Sequence, residues 1–240
     1  MLHVALATGA ALVGLAFAMS TYERWLARRQ RHHLAWSAAL LLFALAAGAL
    51  AAGEGVGWSG PVFRVYFLLG AIVNVPFLAL GTVYLLGGRR RGDQWAVVVV
   101  VFSAFAAGVL AVAPFTAPLP ADTVPRGSEV FGVLPRVLAA VASGVGALVV
   151  FGGAAWSAWR IRRGRVMWGN VLIALGTLIL ANSGLLNSVL DEITGFVVTL
   201  LLGITVLFAG FLVATVAPTP SAAPAAAPSR PSRQAVTARS

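Results

Sequence analysis

Seven stretches of about 20 apolar residues, at 2–20, 34–53, 63–86, 95–113, 135–159, 167–186 and 193–215, leave this chain few ways to fold. A bilayer core roughly 30 Å thick is crossed by an α-helix of about 20 residues. Water offers no alternative home for these stretches. Only 10% of the 240 residues are charged, against about 25% in a soluble domain. With 60% of residues hydrophobic and a mean hydropathy of +0.92, the outer surface has to face lipid. The sequence predicts an all-α membrane protein, a seven-transmembrane-helix bundle.

Charge sets the expected threading. Ala16-Phe17-Ala18 resembles a signal-peptide cleavage site, but no basic residue precedes Arg24, so the first stretch is expected to stay as an anchor. With the N-terminus outside, 14 of the 17 arginines fall on the cytoplasmic side: Arg24, Arg28, Arg29, Arg31, the 89–91 run, Arg160, Arg162, Arg163, Arg165 and three in the tail. Only Arg64, Arg126 and Arg136 fall outside. This bias predicts the N-terminus outside and the C-terminus cytoplasmic, in a multi-pass protein of the plasma membrane. Trp25, Trp36, Trp95, Trp156, Trp159 and Trp168 then mark the inner boundary, and Trp58 the outer one, as an aromatic belt.

Residues 1–217 form the transmembrane domain. The remainder, 218–240, is rich in Pro, Ala and Ser with scattered Arg, and is expected to be a disordered cytoplasmic tail. The external loop 114–134, with prolines at 114, 118, 120 and 125, reads as a stiff cap. Arg64-Val65 and Arg136-Val137 lie 72 positions apart, as do Arg90-Arg91-Gly92 and Arg162-Arg163-Gly164. Topology alone places arginines at helix ends, so this spacing does not require a duplication.

Two groups of polar residues interrupt the apolar pattern. In the stretch LGAIVNVPFLALGT at 69–82, Asn74 and Pro76 sit at mid-membrane. Pro76 has no N–H and its ring crowds the Ile72 carbonyl, so a kink is expected, with the freed carbonyl satisfied by Asn74 or by a neighbouring helix. An interhelical amide bond at a kink is one reading; a hinge in a solute path is the other. The second group is Glu54, Arg64, Arg136, Asn182, Asn187 and Asp191, near the outer helix ends. They are ordinary helix-end charges or the lining of an outer vestibule. Arg64 and Arg136, each in a first apolar turn, are expected to snorkel outward or to pair with an acid.

Several classes of chemistry are excluded or disfavoured. All 17 basic residues are arginine, and a retinal Schiff base needs a lysine. There is no cysteine, hence no disulfide, thiolate metal site or cysteine nucleophile. His32-His33 reads as an extension of the basic anchor, since neighbours on a helix point apart. Hydrolase and phosphate-loop motifs are missing, and no acid lies mid-helix. No catalytic, cofactor-binding or metal-binding residue is assigned. Ala44/Gly48, Ala104/Gly108 and Ala140/Gly144 are small pairs that suit packing within the bundle or a homodimer face.

The run GPVFRVYFLLGAIVNVPFLALGTVYLL, together with MWGNVLIALGTLILANSGLLNSVLDEITGFVVTLLLGITVLFAGFLVAT, resembles uncharacterised seven-helix membrane proteins of GC-rich bacteria. That resemblance spans 1–217 and implies a topology without an assigned activity. Three functions are compatible with the residues. One is a non-catalytic sensor or complex subunit that engages a protein partner and anionic lipid, rather than nucleic acid, through its basic inner face. The second is a small-solute carrier or channel working around Asn74 and Pro76. The third is a membrane enzyme acting on lipid.

Overall fold

The computed structural model describes residues 2–120, 123–160, 165–189 and 193–215. Asp191, Glu192, Arg162, Arg163 and the tail from Pro218 lie outside them. The described residues are almost all helical apart from short connections and the loop after Val112, with one isolated bridge, between Phe115 and Phe131, and no strand. In hydrocarbon every backbone N–H and C=O needs a partner in the chain, and a helix provides this within one segment.

Helices α1 (Leu2–Arg28) and α2 (Arg31–Val56) form a tight hairpin, and Gly57, at φ 105°, ends α2. Helix α3 (Gly60–Phe67) has proline in its first turn, where the missing N–H costs nothing. It continues through a π turn, Leu68–Val73, into α4 (Asn74–Val112). After a short α5 (Gly127–Val130) come α6 (Val133–Arg160), α7 (Arg165–Val189) and α8 (Ile193–Thr215).

Five helices are long and apolar enough to cross a membrane: Leu2–Arg28, Arg31–Val56, Gly60–Val112, Val133–Ser157 and Gly195–Val213. Met167–Leu180 is a shorter apolar stretch. The third of the five is not straight. A straight helix would hold Arg64 and Leu110, 46 positions apart, at about 70 Å. Instead the Arg64 guanidinium donates to the Leu110 carbonyl. The chain doubles back at Gly88, whose φ of 77° and ψ of 178° fall in a region that is essentially glycine-only.

Neighbouring helices close a ring in the order α1, α2, α3–α4, α6, α7, α8, with α8 returning to α1. Close approach is achieved by glycines. A Cβ at Gly176 would meet the Leu207 nitrogen at 2.7 Å, and one at Gly210 would meet that of Ile173 at 2.7 Å, so α7 and α8 touch backbone to backbone. The small pairs singled out in the sequence do something else. Ala44 is buried, but Gly48, Ala104, Gly108, Ala140 and Gly144 are exposed. A Cβ at Gly48, Gly108 or Gly144 would touch nothing within 4 Å. Spacing could not separate helix faces here because alanine and glycine occur on all of them.

The described residues of the 114–134 loop fold as a cap over α3. Phe115, Val130 and Phe131 pack on Phe63 and Phe67, with Phe63 and Phe131 stacked at 5.3 Å between centroids. Pro125 is also fully buried, and the Thr116 N–H donates to the Val130 carbonyl at 2.9 Å.

Candidate functional site

The break expected at Asn74 and Pro76 takes the form of a wide turn, Leu68–Val73, immediately before them. The Asn74 N–H bonds back to the Leu69 carbonyl, five residues earlier rather than four. Pro76, which has no N–H, stands just past the wide turn, four residues after Ile72. Ser143 on α6 donates across to this segment, its hydroxyl lying 2.7 Å from the Ala71 oxygen. Such an interhelical bond contributes about 0.6–2 kcal/mol in lipid. Asn74 does not serve as that donor, and its Oδ1 is buried without a hydrogen-bond partner among the described residues.

Helix α6 is shaped to hold this turn. One turn past Ser143, a Cβ at Gly146 would meet Val75 Cγ1 at 2.7 Å and its carbonyl carbon at 3.1 Å. Gly153, two turns further on, rests on Thr82. Contacts advance in the same direction along both helices, so α4 before Gly88 and α6 run parallel. Ser143 and Ala71 are 72 residues apart, the same offset as Arg136 and Arg64.

Beneath the break, the bundle interior holds a cavity of about 70 Å³ whose lining includes Phe17, Leu40, Leu78, Leu207 and Phe211. Its polar lining is Thr82 and Ser157, together with the indole of Trp36. Asn74 is not among the residues around it. Trp36 is turned toward the neighbouring helix α4. Its indole N–H donates to the Leu78 carbonyl at 3.1 Å, and the ring lies directly on Gly81, where no side chain blocks it.

The outer residues separate into two clusters. Glu54 accepts from the Trp58 indole at 3.3 Å and lies 3.3 Å from His3 Nδ1. Arg64 pairs with no acid among the described residues. Its guanidinium donates to the carbonyls of Leu110 and, at 2.9 Å, Ala113, and lies 4.4 Å from the centre of the Phe115 ring. The last four carbonyls of a helix lack partners within it, and a cation there also suits the macrodipole. This cap became available only once α4 had doubled back. Arg136 is exposed, with no polar contact among the described residues. The backbone of α7 carries Asn182 and Asn187, but their side chains, like Asp191, lie outside the described residues.

At the opposite end is a cluster the sequence did not suggest. Asp93 accepts from Arg31 and, at 2.8 Å, from the Tyr84 hydroxyl, with Arg89 at 3.8 Å. It ties the start of α2 to the reversal at Gly88. Its only signal in the sequence was a single acid within a block of arginines. The neighbouring histidines also differ from expectation. Their ring centroids are 4.2 Å apart, and His33 is buried. Each ring reaches Trp36, from four and three residues away, and this brings the two together. No group of three His, Cys, Asp or Glu that would hold a metal occurs among the described residues.

Comparison with protein-family models, with curated proteins and with solved structures finds no match to this chain.

Proposed function

We propose that the chain is a seven-span, non-catalytic protein of the plasma membrane, N-terminus outside, that acts as a sensor or as a subunit of a membrane complex. The apolar character of the interior carries this reading. The cavity beneath the kink is small and greasy, and of the candidate polar residues Arg64 is engaged by the end of α4 and Glu54 by Trp58 and His3. A carrier needs a polar route from one side to the kink. The span count follows from taking Gly60–Val112 as two crossings joined at Gly88 and Arg165–Val189 as one more. The orientation rests on the arginine bias, and the basic inner face is the surface offered to anionic lipid and to a protein partner.

Threading is tested by a single cysteine at Arg90 in this otherwise cysteine-free chain. An impermeant thiol reagent should label it in inverted vesicles and leave it unlabelled in intact cells; labelling in intact cells would reverse the orientation. A second reading, the small-solute carrier or channel, is favoured by one observation, the unpartnered Asn74 oxygen beside a π turn. Proteoliposomes separate the two. Vesicles with the wild-type chain should release small polar solutes no faster than empty ones. Release that Asn74→Leu abolishes would replace the first reading by the second.

A further inference from the structure

A groove of about 440 Å³ runs along the outside of the bundle between α4 and α6, next to the reversal at Gly88. Its floor is apolar, made by Val83, Leu86, Leu148 and Val149, and is deepened where Gly87 and Gly152 have no side chains. A Cβ at Gly152 would touch nothing within 4 Å, so the depression is open space. Thr82, Leu86 and Gly153 form the wall between this groove and the interior cavity. At the membrane-boundary end stand Arg91 and Trp156, the latter tilted against Trp159 with ring centroids 5.6 Å apart.

Of the three arginines at 89–91, Arg89 engages Asp93, and only Arg91 lines the groove. The exposed Arg91 has no acidic partner among the described residues. A lone guanidinium above a hydrocarbon-lined trough calls for a ligand with an anionic head and an apolar tail. We infer that the groove between α4 and α6 is a binding site for one anionic phospholipid. Its phosphate pairs with Arg91, its headgroup region lies against the Trp156 ring edge, and an acyl chain follows Leu148 and Val149. Guanidinium recognises phosphate through paired N–H donors, and tryptophan favours the headgroup level. A zwitterionic lipid presents the same chains but brings its own cation to compete with Arg91.

The site rests on the reading that α4 and α6 cross a bilayer, but not on which side the groove faces. The test is therefore done on purified full-length protein in detergent. Phosphatidylglycerol or phosphatidylethanolamine is added at equal concentration, and the retained lipid is counted by native mass spectrometry. Phosphatidylglycerol should be retained in a one-to-one complex about fivefold more strongly than phosphatidylethanolamine, the effect of one nearby cation. Arg91→Gln should abolish that preference, while Arg91→Lys keeps most of it and Arg90→Gln, whose side chain does not line the groove, leaves it unchanged. Gly152→Leu, which fills the trough, should lower retention of both lipids. Equal retention by wild type and Arg91→Gln, or equal loss in Arg90→Gln and Arg91→Gln, would overturn the site. Should Gly152→Leu fail to fold, the comparison between Arg90 and Arg91 decides alone. A reversed orientation in the cysteine experiment would leave these outcomes untouched.

Discussion

Arg64→Glu should destabilise the purified protein by about 3 kcal/mol or more, whereas the same reversal at Arg136 should cost less than about 0.5 kcal/mol. The two arginines are equivalent in sequence, each followed by valine in the first apolar turn of a helix. Their surroundings are not equivalent. Arg64 gives charge-assisted hydrogen bonds to Leu110 and Ala113, each contributing about 1.5–3 kcal/mol. Glutamate would leave those carbonyls without a donor and set a negative charge against the negative end of the helix dipole. It would also exchange a cation over the Phe115 ring for an anion repelled by the ring face. Arg136 is exposed and has nothing comparable to lose. Thermal unfolding in detergent, followed by intrinsic tryptophan fluorescence, measures both variants. Equal losses would show that Arg64 is not a cap, and the reversal at Gly88 would lose its outer clasp.

Gly146→Leu should cost about 1–3 kcal/mol, the range for overpacking a close contact. Gly144→Leu should be neutral or stabilising by up to about 1 kcal/mol, because leucine is the better helix former. The two glycines are two residues apart on α6 and so face different ways. At Gly146 the first added carbon meets Val75 at 2.7 Å and then its backbone at 3.1 Å, so the backbone itself has to move. That displacement also pulls Ser143 away from the Ala71 carbonyl. At Gly144 the added side chain enters open space. The same unfolding measurement compares them. A larger loss at Gly144 than at Gly146 would mean that α6 presents a different face to α4.

Both predictions lie where sequence reasoning reached the right place with the wrong partner. Proline at 76 marks a break in any transmembrane helix, because the lost N–H is a property of the residue. The freed carbonyl was expected at Ile72, and the interhelical bond the structure shows is made to the adjacent Ala71. Ser143 carried no signal as its donor; a lone serine in an alanine-rich helix looks the same whether it faces lipid or a neighbour. The small pairs show the same limit in reverse. Their spacing was read correctly, but Gly48, Gly108 and Gly144 face outward while Gly14, Gly146 and Gly176 make the close approaches. A lipid-exposed face and a packed face are both apolar, so hydrophobic periodicity, which orients helices in water, loses its contrast in a membrane.

The amino-acid sequence by itself determined that the chain is helical and built for a bilayer, since long uncharged runs can satisfy their backbones in no other way. It also located the break at Pro76 and the capping loop between Pro114 and Pro135, because proline restricts the backbone wherever it occurs. Only the tertiary structure decided which groups meet: Arg64 with the end of α4, Ser143 with Ala71, Trp36 with Leu78, Arg31 and Tyr84 with Asp93. These pairings depend on how each helix is rotated about its own axis. That rotation is set by glycine contacts and unsatisfied carbonyls spread over distant segments, and no local stretch of sequence contains both sides of such a contact.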